Sequence, residues 1–322
     1  MIVNPYKNTL GRIKVKLEKK HPVAFEKYIL PYSLASFDRL YTRLSKKRGK
    51  KYLSQDKFPL FQTIEIETIN RCNGKCSFCP INSNIDPRPF KMMDKTLFCS
   101  IIDQLSEINY EGSIGLYSNN EPLLDNRLFE FLDITRKKLP NATLYLFTNG
   151  SLLTTHKFDK LMEYLDWITI DNYNDNLILN KPVEEVYEHA LSKPYKNKVH
   201  IYLRKENEIL LNRSGQADNR SSKRIKLKST CLYPFEQVVI RPDGKLSLCC
   251  NDATGKVTMG DLTKDTLLDI WYGEKYTNIR YNMLKNRSLN YLCKDCDIVT
   301  PRVPAGTSFK IKNIITMFKK AS

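Results

Sequence analysis

Three cysteines pose the chemical question. In "ETINRCNGKCSFCP", Cys72, Cys76 and Cys79 form a C-x3-C-x2-C run directly after an apolar-alternating segment. Thiolates hold zinc or iron–sulfur clusters, and stable thiolate sites are commonly completed by four ligands. Three set this tightly leave one iron of a cluster open, the condition under which a metal centre takes a substrate or cofactor as its last ligand. Zinc is the competing occupant. Structural zinc knuckles, however, pair C-x2-4-C units and close at four ligands, so the run favours a cluster. Gly74 lets the loop curve around it, and Phe78 is placed to cover it or to stack on an aromatic ligand. Five more cysteines (231, 249, 250, 293 and 296) fall in a segment that reads as a small cofactor-holding domain. Cys99, alone in a helical stretch, reads as a small buried hydrophobe.

These residues need a frame. From 61 to about 205, strand-like and helix-like segments alternate: "FQTIEIETI", "SIGLYS", "ATLYLFTNG", "WITID" and "VHIYLR" are separated by helical patterns. "DKTLFCSIIDQL" carries Asp94 as an N-cap and Leu97, Ile101 and Leu105 on one face. Five β/α steps make a parallel sheet covered by helices, and "EQVVIR" at 236–241 supplies a sixth strand. Six repeats are too few for a closed eight-stranded barrel, so the expected architecture is α/β, a partial (β/α)6 TIM-like barrel. Chemistry in such folds sits at the C-terminal ends of the strands, where the three-cysteine run lies. The domains expected are a basic helical extension (1–60), the barrel (61–230), a small cluster domain (231–300) and a basic tail (301–322). Residues 206–230 form a long polar connection. "RPDGKLSLCC" is a hairpin signal with an Asp-Gly turn. In the extension, Phe37, Leu40, Tyr41 and Leu44 recur at helical spacing within short helices.

Composition narrows the classes. Nine cysteines in 322 residues would suit a disulfide framework only in a short secreted chain. No apolar run approaches the roughly 20 residues that span a bilayer, and the N-terminus lacks the apolar core of a signal peptide; the cytoplasm is the expected compartment. The net charge of +17 is concentrated at the ends: residues 1–60 hold 15 Lys and Arg against 4 Asp and Glu, and 301–322 hold 5 basic residues and no acidic one. Basic ends attract anionic surfaces. In "SFKIKNIITMFKK", Ile311, Ile314, Ile315 and Phe318 share a helical face with lysines opposite, the pattern of a helix lying on an anionic membrane or docked on the barrel.

"CNGKCSFC", placed after the first strand of a β/α series, resembles the signature of the radical S-adenosylmethionine (radical SAM) superfamily. The resemblance implies that Cys72, Cys76 and Cys79 bind a [4Fe–4S] cluster whose open iron is chelated by S-adenosylmethionine. One electron then cleaves the cofactor to a 5′-deoxyadenosyl radical that abstracts hydrogen from an unactivated C–H bond. "YSNNEPLLD" sits where the family usually has Gly-Gly-Glu-Pro against the methionine amino group. Glu121 and Pro122 match, whereas Asn119 and Asn120 replace the glycines. The resemblance also places Asn120, Thr148, Asn149, Asp171 and Arg204 near the cofactor. The spacing of Cys231, Cys249, Cys293 and Cys296 resembles the SPASM/twitch extension, which implies one auxiliary [4Fe–4S] cluster on those four. Only Cys250 is then left in the segment, too few for a second auxiliary cluster.

The auxiliary spacing is similar to that of twitch-bearing aminocyclitol dehydrogenases. That resemblance implies oxidation of a carbinol in a sugar- or cyclitol-like small molecule, with Arg213 contacting substrate. It also implies a flavodoxin- or ferredoxin-type reductant and no nucleic-acid partner. Epimerisation, with Cys250 returning a hydrogen atom, is the neighbouring outcome. Peptide modification by a SPASM-type maturase and a zinc-stabilised scaffold binding nucleic acid or another anionic surface are the alternatives from other classes.

Overall fold

The computed structural model describes residues 1–3, 13, 16–17, 20–82, 84, 86–208, 212–217 and 226–299. The tail at 301–322, with its proposed face of Ile311, Ile314, Ile315 and Phe318, lies outside them, as do 209–211 and 218–225 of the polar connection. Among the described residues nine strands form one sheet: β1 (Ile2–Val3), β2 (Thr63–Ile66), β3 (Ser113–Gly115), β4 (Thr143–Thr148), β5 (Trp167–Tyr173), β6 (Val199–Arg204), β7 (Gln237–Ile240), β8 (Lys245–Ser247) and β9 (Thr258–Asp261). Their order is β1-β6-β5-β4-β3-β2-β7-β8-β9. Pairing is parallel from β1 to β7 and antiparallel from β7 to β9. The parallel strands are those of a partial TIM barrel. β2 and β7 are buried along their whole length, as parallel strands covered on both faces must be.

The covering helices are α1 (Leu30–Leu53), α2 (Lys95–Glu107), α3 (Leu128–Lys138), α4 (Thr155–Tyr164) and α5 (Lys181–Leu191); α6 (Leu267–Tyr272) and α7 (Glu274–Lys285) follow the hairpin. α2 starts where its sequence says it should. The Asp94 carboxylate accepts the backbone N–H groups of Thr96 (2.7 Å) and Leu97 (3.4 Å), two of the donors a helix start leaves without partners. Its buried face is Phe98, Ile101, Ile102 and Leu105, and Phe98 stacks on Phe131 of α3 at 4.1 Å. The β7–β8 turn puts Gly244 at φ +80°, a left-handed position that suits glycine.

One expectation is corrected, in the N-terminal extension; "EQVVIR" forms the sixth parallel strand expected of it. It pairs with β2, from Thr63↔Gln237 to Ile66↔Ile240, and the outer edge of β6 is taken by β1 through Ile2↔Ile201 and Val3↔Tyr202. Strand periodicity reports which segments extend, not which edge they join. In the extension, Leu30–Leu53 is one 24-residue helix whose Phe37 (54% exposed) and Leu40 (73%) point outward. Polar groups choose its inner face instead. The Asp38 carboxylate accepts the N–H groups of Lys228 and Ser229, both at 2.8 Å, and Ser45 Oγ accepts that of Thr230 at 3.0 Å. Gly49 lies against Thr230 and Leu284, where a Cβ would stand 2.7 Å from the leucine.

Candidate active site

One cavity of about 380 Å³ opens at the C-terminal ends of the strands, lined by Cys72, Cys76 and Cys79 on one side and by Tyr117, Phe147 and Arg213 among others. The cysteine loop leaves β2 and is fixed by Asn82, whose buried amide donates to the carbonyls of Cys76 (3.2 Å) and Cys79 (3.0 Å). Gly74 N–H donates to Cys72 Sγ at 3.3 Å. A Cβ on Gly74 would meet Cys72 Sγ at 3.3 Å and Cys76 Sγ at 3.9 Å, so the missing side chain leaves the space between the two sulfurs clear. Burial, opposed by the Gly74 N–H, pushes the Cys72 thiol up to about 12. Burial and then the neighbouring sulfurs Cys79 and Cys72 push Cys76 higher still. Thiols that resist ionisation in one another's company are what the positive charge of a metal cluster relieves.

The remaining expected cofactor residues divide in two. Glu121 is buried and its carboxylate accepts three hydrogen bonds within the protein, from Thr148 Oγ1 (2.7 Å), Asn149 N–H (2.8 Å) and Leu123 N–H (3.1 Å). It ties the loop after β3 to the end of β4, so Glu121 and Thr148 shape the wall. Asn149 turns its side chain to Asn73, beside Cys72, with Nδ2 donating to Asn73 Oδ1 at 2.8 Å. Asp171 accepts Arg204 Nε at 3.1 Å, a paired wall in which burial raises the Asp171 carboxyl against the pull of the arginine. Asn120 differs, because its buried Nδ2 has no protein partner. Phe78 packs against Tyr173, ring centroids 5.8 Å apart, on the cavity wall.

The second cysteine set is gathered as its spacing implies. Burial first, and then Cys250, Cys231, Cys293 and Cys296, push the Cys249 thiol well up. Burial also raises Cys231 to about 11 and Cys293 further. None of the nine cysteines is in a disulfide. Among the described residues no three His, Cys, Asp or Glu side chains converge as a single metal ion demands. The donors at both places are thiols, the ligand type that holds an iron–sulfur cluster.

Arg213 lines the cavity beside the first cysteine set, and its turn is bonded to residues flanking Cys296 of the second. Its turn holds three successive left-handed residues, Arg213 (φ +50°), Ser214 (+57°) and Gly215 (+77°), and the two non-glycines cost about 1–2 kcal/mol each. Asn212 holds the turn. Its N–H donates to Asp297 Oδ1 (2.9 Å) and its amide to the Asp295 carbonyl (2.6 Å), on either side of Cys296. The strain aims Arg213 into the cavity, with NH2 donating to Asn119 Oδ1 at 2.9 Å and Nε buried without a partner. Asn119, noted in the sequence as replacing a glycine, carries contacts that the sequence did not show. Besides accepting from Arg213, its side chain donates to the Cys250 carbonyl (3.1 Å), and its backbone N–H donates to Glu67 (2.6 Å). Arg88, missed altogether, donates to the Asn119 carbonyl (3.1 Å) and pairs with Asp86 (2.9 Å) and Glu67 (3.3 Å). The sequence signal was the pair of asparagines in place of glycines. Cys250 offers its carbonyl to this bridge, and its thiol is not on the cavity wall.

Comparison with known proteins agrees with this geometry. Residues 66–176 match the radical SAM superfamily, and 231–297 match the SPASM iron–sulfur cluster-binding domain. The chain is 31% identical over 245 residues to the S-adenosyl-L-methionine-dependent 2-deoxy-scyllo-inosamine dehydrogenase of Niallia circulans, covering 75% of this chain and 94% of that one. It is 27% identical over 159 residues to an S-adenosylmethionine-dependent nucleotide dehydratase of Flammeovirga pacifica, covering 42% and 51%. The crystal structure of BtrN in complex with AdoMet and 2-DOIA superposes with a TM-score of 0.67 at 29% identity, over 76% of this chain and 96% of that chain.

Proposed function

We infer that this chain, which belongs to the radical SAM superfamily, oxidises a carbinol of an aminocyclitol or similar polar small molecule. The superfamily and its SPASM domain bring a [4Fe–4S] cluster, an auxiliary cluster and S-adenosylmethionine. When bound, these groups supply a 5′-deoxyadenosyl radical that takes the carbinol hydrogen atom and an acceptor for the electron left behind. In our reading Cys72, Cys76 and Cys79 hold the first cluster, and Cys231, Cys249, Cys293 and Cys296 the second. The Asn120 Nδ2 is a ready donor for the cofactor, and Phe78 and Tyr173 keep water from it. Arg213 Nε, buried and without a partner, orients a substrate hydroxyl. The hydroxyl proton leaves through Ser118, a cavity residue whose Oγ donates to the Glu65 carboxylate at 2.7 Å. The observation that carries the reading is the shared cavity: the first three cysteines and Arg213 line it together, and the turn of Arg213 is bonded to residues flanking Cys296.

The test is anaerobic turnover with dithionite, S-adenosylmethionine and a panel of aminocyclitols that includes 2-deoxy-scyllo-inosamine. Equimolar 5′-deoxyadenosine and ketone support the proposal. Full cluster loading with no ketone from any member of the panel refutes it. Retained ketone formation in Cys250→Ala separates oxidation from epimerisation, and we favour oxidation because the Cys250 thiol is off the cavity wall.

Two partners complete the proposal. A flavodoxin or ferredoxin delivers the initiating electron. An anionic bilayer meets the outer face of α1, where Tyr32, Phe37 and Leu40 stand exposed among Arg39, Arg43, Lys46 and Lys47; apolar side chains ringed by basic ones suit such a surface. No described helix is long and apolar enough to cross a membrane. Flotation with anionic but not zwitterionic vesicles, lost in Phe37→Glu/Leu40→Glu, is the expected result. Equal flotation of that variant refutes the bilayer contact.

A further inference from the structure

Arg287 is 2% exposed, in the short turn before Cys293. Its guanidinium donates to two backbone carbonyls, NH1 to Ile298 at 3.1 Å and NH2 to Cys296 at 3.5 Å, and its Nε is buried with no partner. A buried cation bonded only to neutral carbonyls is costly unless negative charge lies close by. The charges that couple most strongly to it are Cys231, Cys296 and Cys293, with Asp38 last. In return it draws the Cys231 and Cys293 thiols down against their burial. Asp252, also near Cys293, is turned to the backbone N–H groups of Lys256 (2.7 Å) and Val257 (3.0 Å).

The three-cysteine site has different charged neighbours. The charged side chains that couple to Cys72 and Cys76 are the carboxylates Glu121 and Glu206. The arginine that couples to Cys79 is Arg88, already paired with Asp86 and Glu67. Arg213, whose hydrogen-bond partner is the neutral Asn119 amide, lines the cavity beside those cysteines, so each site has near it a cation without a carboxylate among its hydrogen-bond partners, and Arg287 is the one bonded to a backbone carbonyl of the auxiliary set. A four-thiolate cluster is an anion that gains a further negative charge on reduction, and its potential follows local charge, hydrogen bonding and burial.

We propose that Arg287 is a positioning residue that raises the reduction potential of the auxiliary cluster, its fixed charge stabilising the reduced form. The proposal rests on the reading of Cys231, Cys249, Cys293 and Cys296 as cluster ligands, and the test separates the two. In a Cys72→Ala/Cys76→Ala/Cys79→Ala background only the auxiliary cluster remains, about four irons per chain, and its midpoint is followed by EPR-monitored potentiometry. Absence of iron there refutes the ligand reading, and the proposal falls with it. With iron present, Arg287→Gln, which keeps amide donors for the carbonyls at zero charge, is expected to lower the reduction constant at least tenfold. That is about 59 mV for one electron. Arg287→Lys is expected to stay within about threefold of its parent. Iron lost from the Gln variant but kept in the Lys variant also supports the proposal, since charge separates them. A Gln variant with full iron and less than a tenfold change overturns it. So do a Lys variant shifted threefold or more and iron lost from both.

Discussion

Removing the carboxylate of Asp38 tests whether α1 is part of the auxiliary centre or merely adjacent to it. Asp38 is 5% exposed and uses both oxygens, one on Lys228 N–H and one on Ser229 N–H at 2.8 Å each. Those amides lie two and three residues before Cys231. Hydrogen bonds to a charged group are worth about 1.5–3 kcal/mol each. Asp38→Ala strands two donors at once, though water can enter the space left by the side chain. The lower end of the range is therefore appropriate, about 3 kcal/mol for opening this segment. At about 1.4 kcal/mol per decade, that is roughly a hundredfold faster hydrogen exchange at Lys228 and Ser229. The assay is exchange mass spectrometry over 226–232, with a β4–β5 peptide as internal control. A change of tenfold or less at these amides, with the control steady, would show that the helix does not hold the segment. A hundredfold change spread equally over the control would mean global destabilisation and would refute the local clamp as well.

Other outcomes follow from the same contacts. Cys231→Ala is expected to halve the iron content, from about eight to about four atoms per chain, while 5′-deoxyadenosine formation continues without ketone. Arg213→Ala should raise KM for substrate at least tenfold and leave S-adenosylmethionine binding within about threefold by calorimetry, with Arg213→Lys recovering little because the Nε donor is gone. Asp159, half exposed, is held below the usual carboxylate range, where partial burial is outweighed by hydrogen bonds from Tyr195, His189 and Lys193. A depressed carboxyl stabilises the fold above its unfolded value of about 3.9 and loses that contribution as pH falls through the lower, folded value. The Tm gap between wild type and Asp159→Asn should therefore be present at pH 6 and close as the pH drops below about 4; a gap that is constant with pH contradicts the assignment.

The first centre was legible because its chemistry is local. Cys72, Cys76 and Cys79 fall within eight residues, and the strand before them reads at period two. The auxiliary set was legible as a pattern of spacings, and the site geometry agrees with it. What escaped sequence reasoning depends on contacts between distant segments. Nothing local marks Asn119 as the bridge to Arg213 and the Cys250 carbonyl, because its partners lie 94 and 131 positions away. Glu121 matched a motif, but the bonds its oxygens accept from Thr148 and Asn149 are revealed only by the packed loop. The face of α1 was misjudged for a related reason. Hydrophobic periodicity presumes that apolar side chains choose the buried side, whereas Asp38 and Ser45 choose it here by completing backbone hydrogen bonds near Cys231.

The position of β7 has a consequence for how the chain can be divided. Residue 231 is a sensible boundary for cofactor content, because one cysteine set precedes it and the other begins there. It is not a seam along which the protein separates. β7 belongs in sequence to the auxiliary region and in space to the barrel, bonded along the full length of β2. A chain ending at 230 would leave the edge of β2 bare at the root of the cysteine loop, with a row of unpaired N–H and C=O groups open to other strands. The auxiliary region alone would carry a strand with no sheet to join. Insolubility of either half would thus report the topology and reveal nothing about the clusters. A separable reporter of one centre has to be made by ligand substitution within the intact chain.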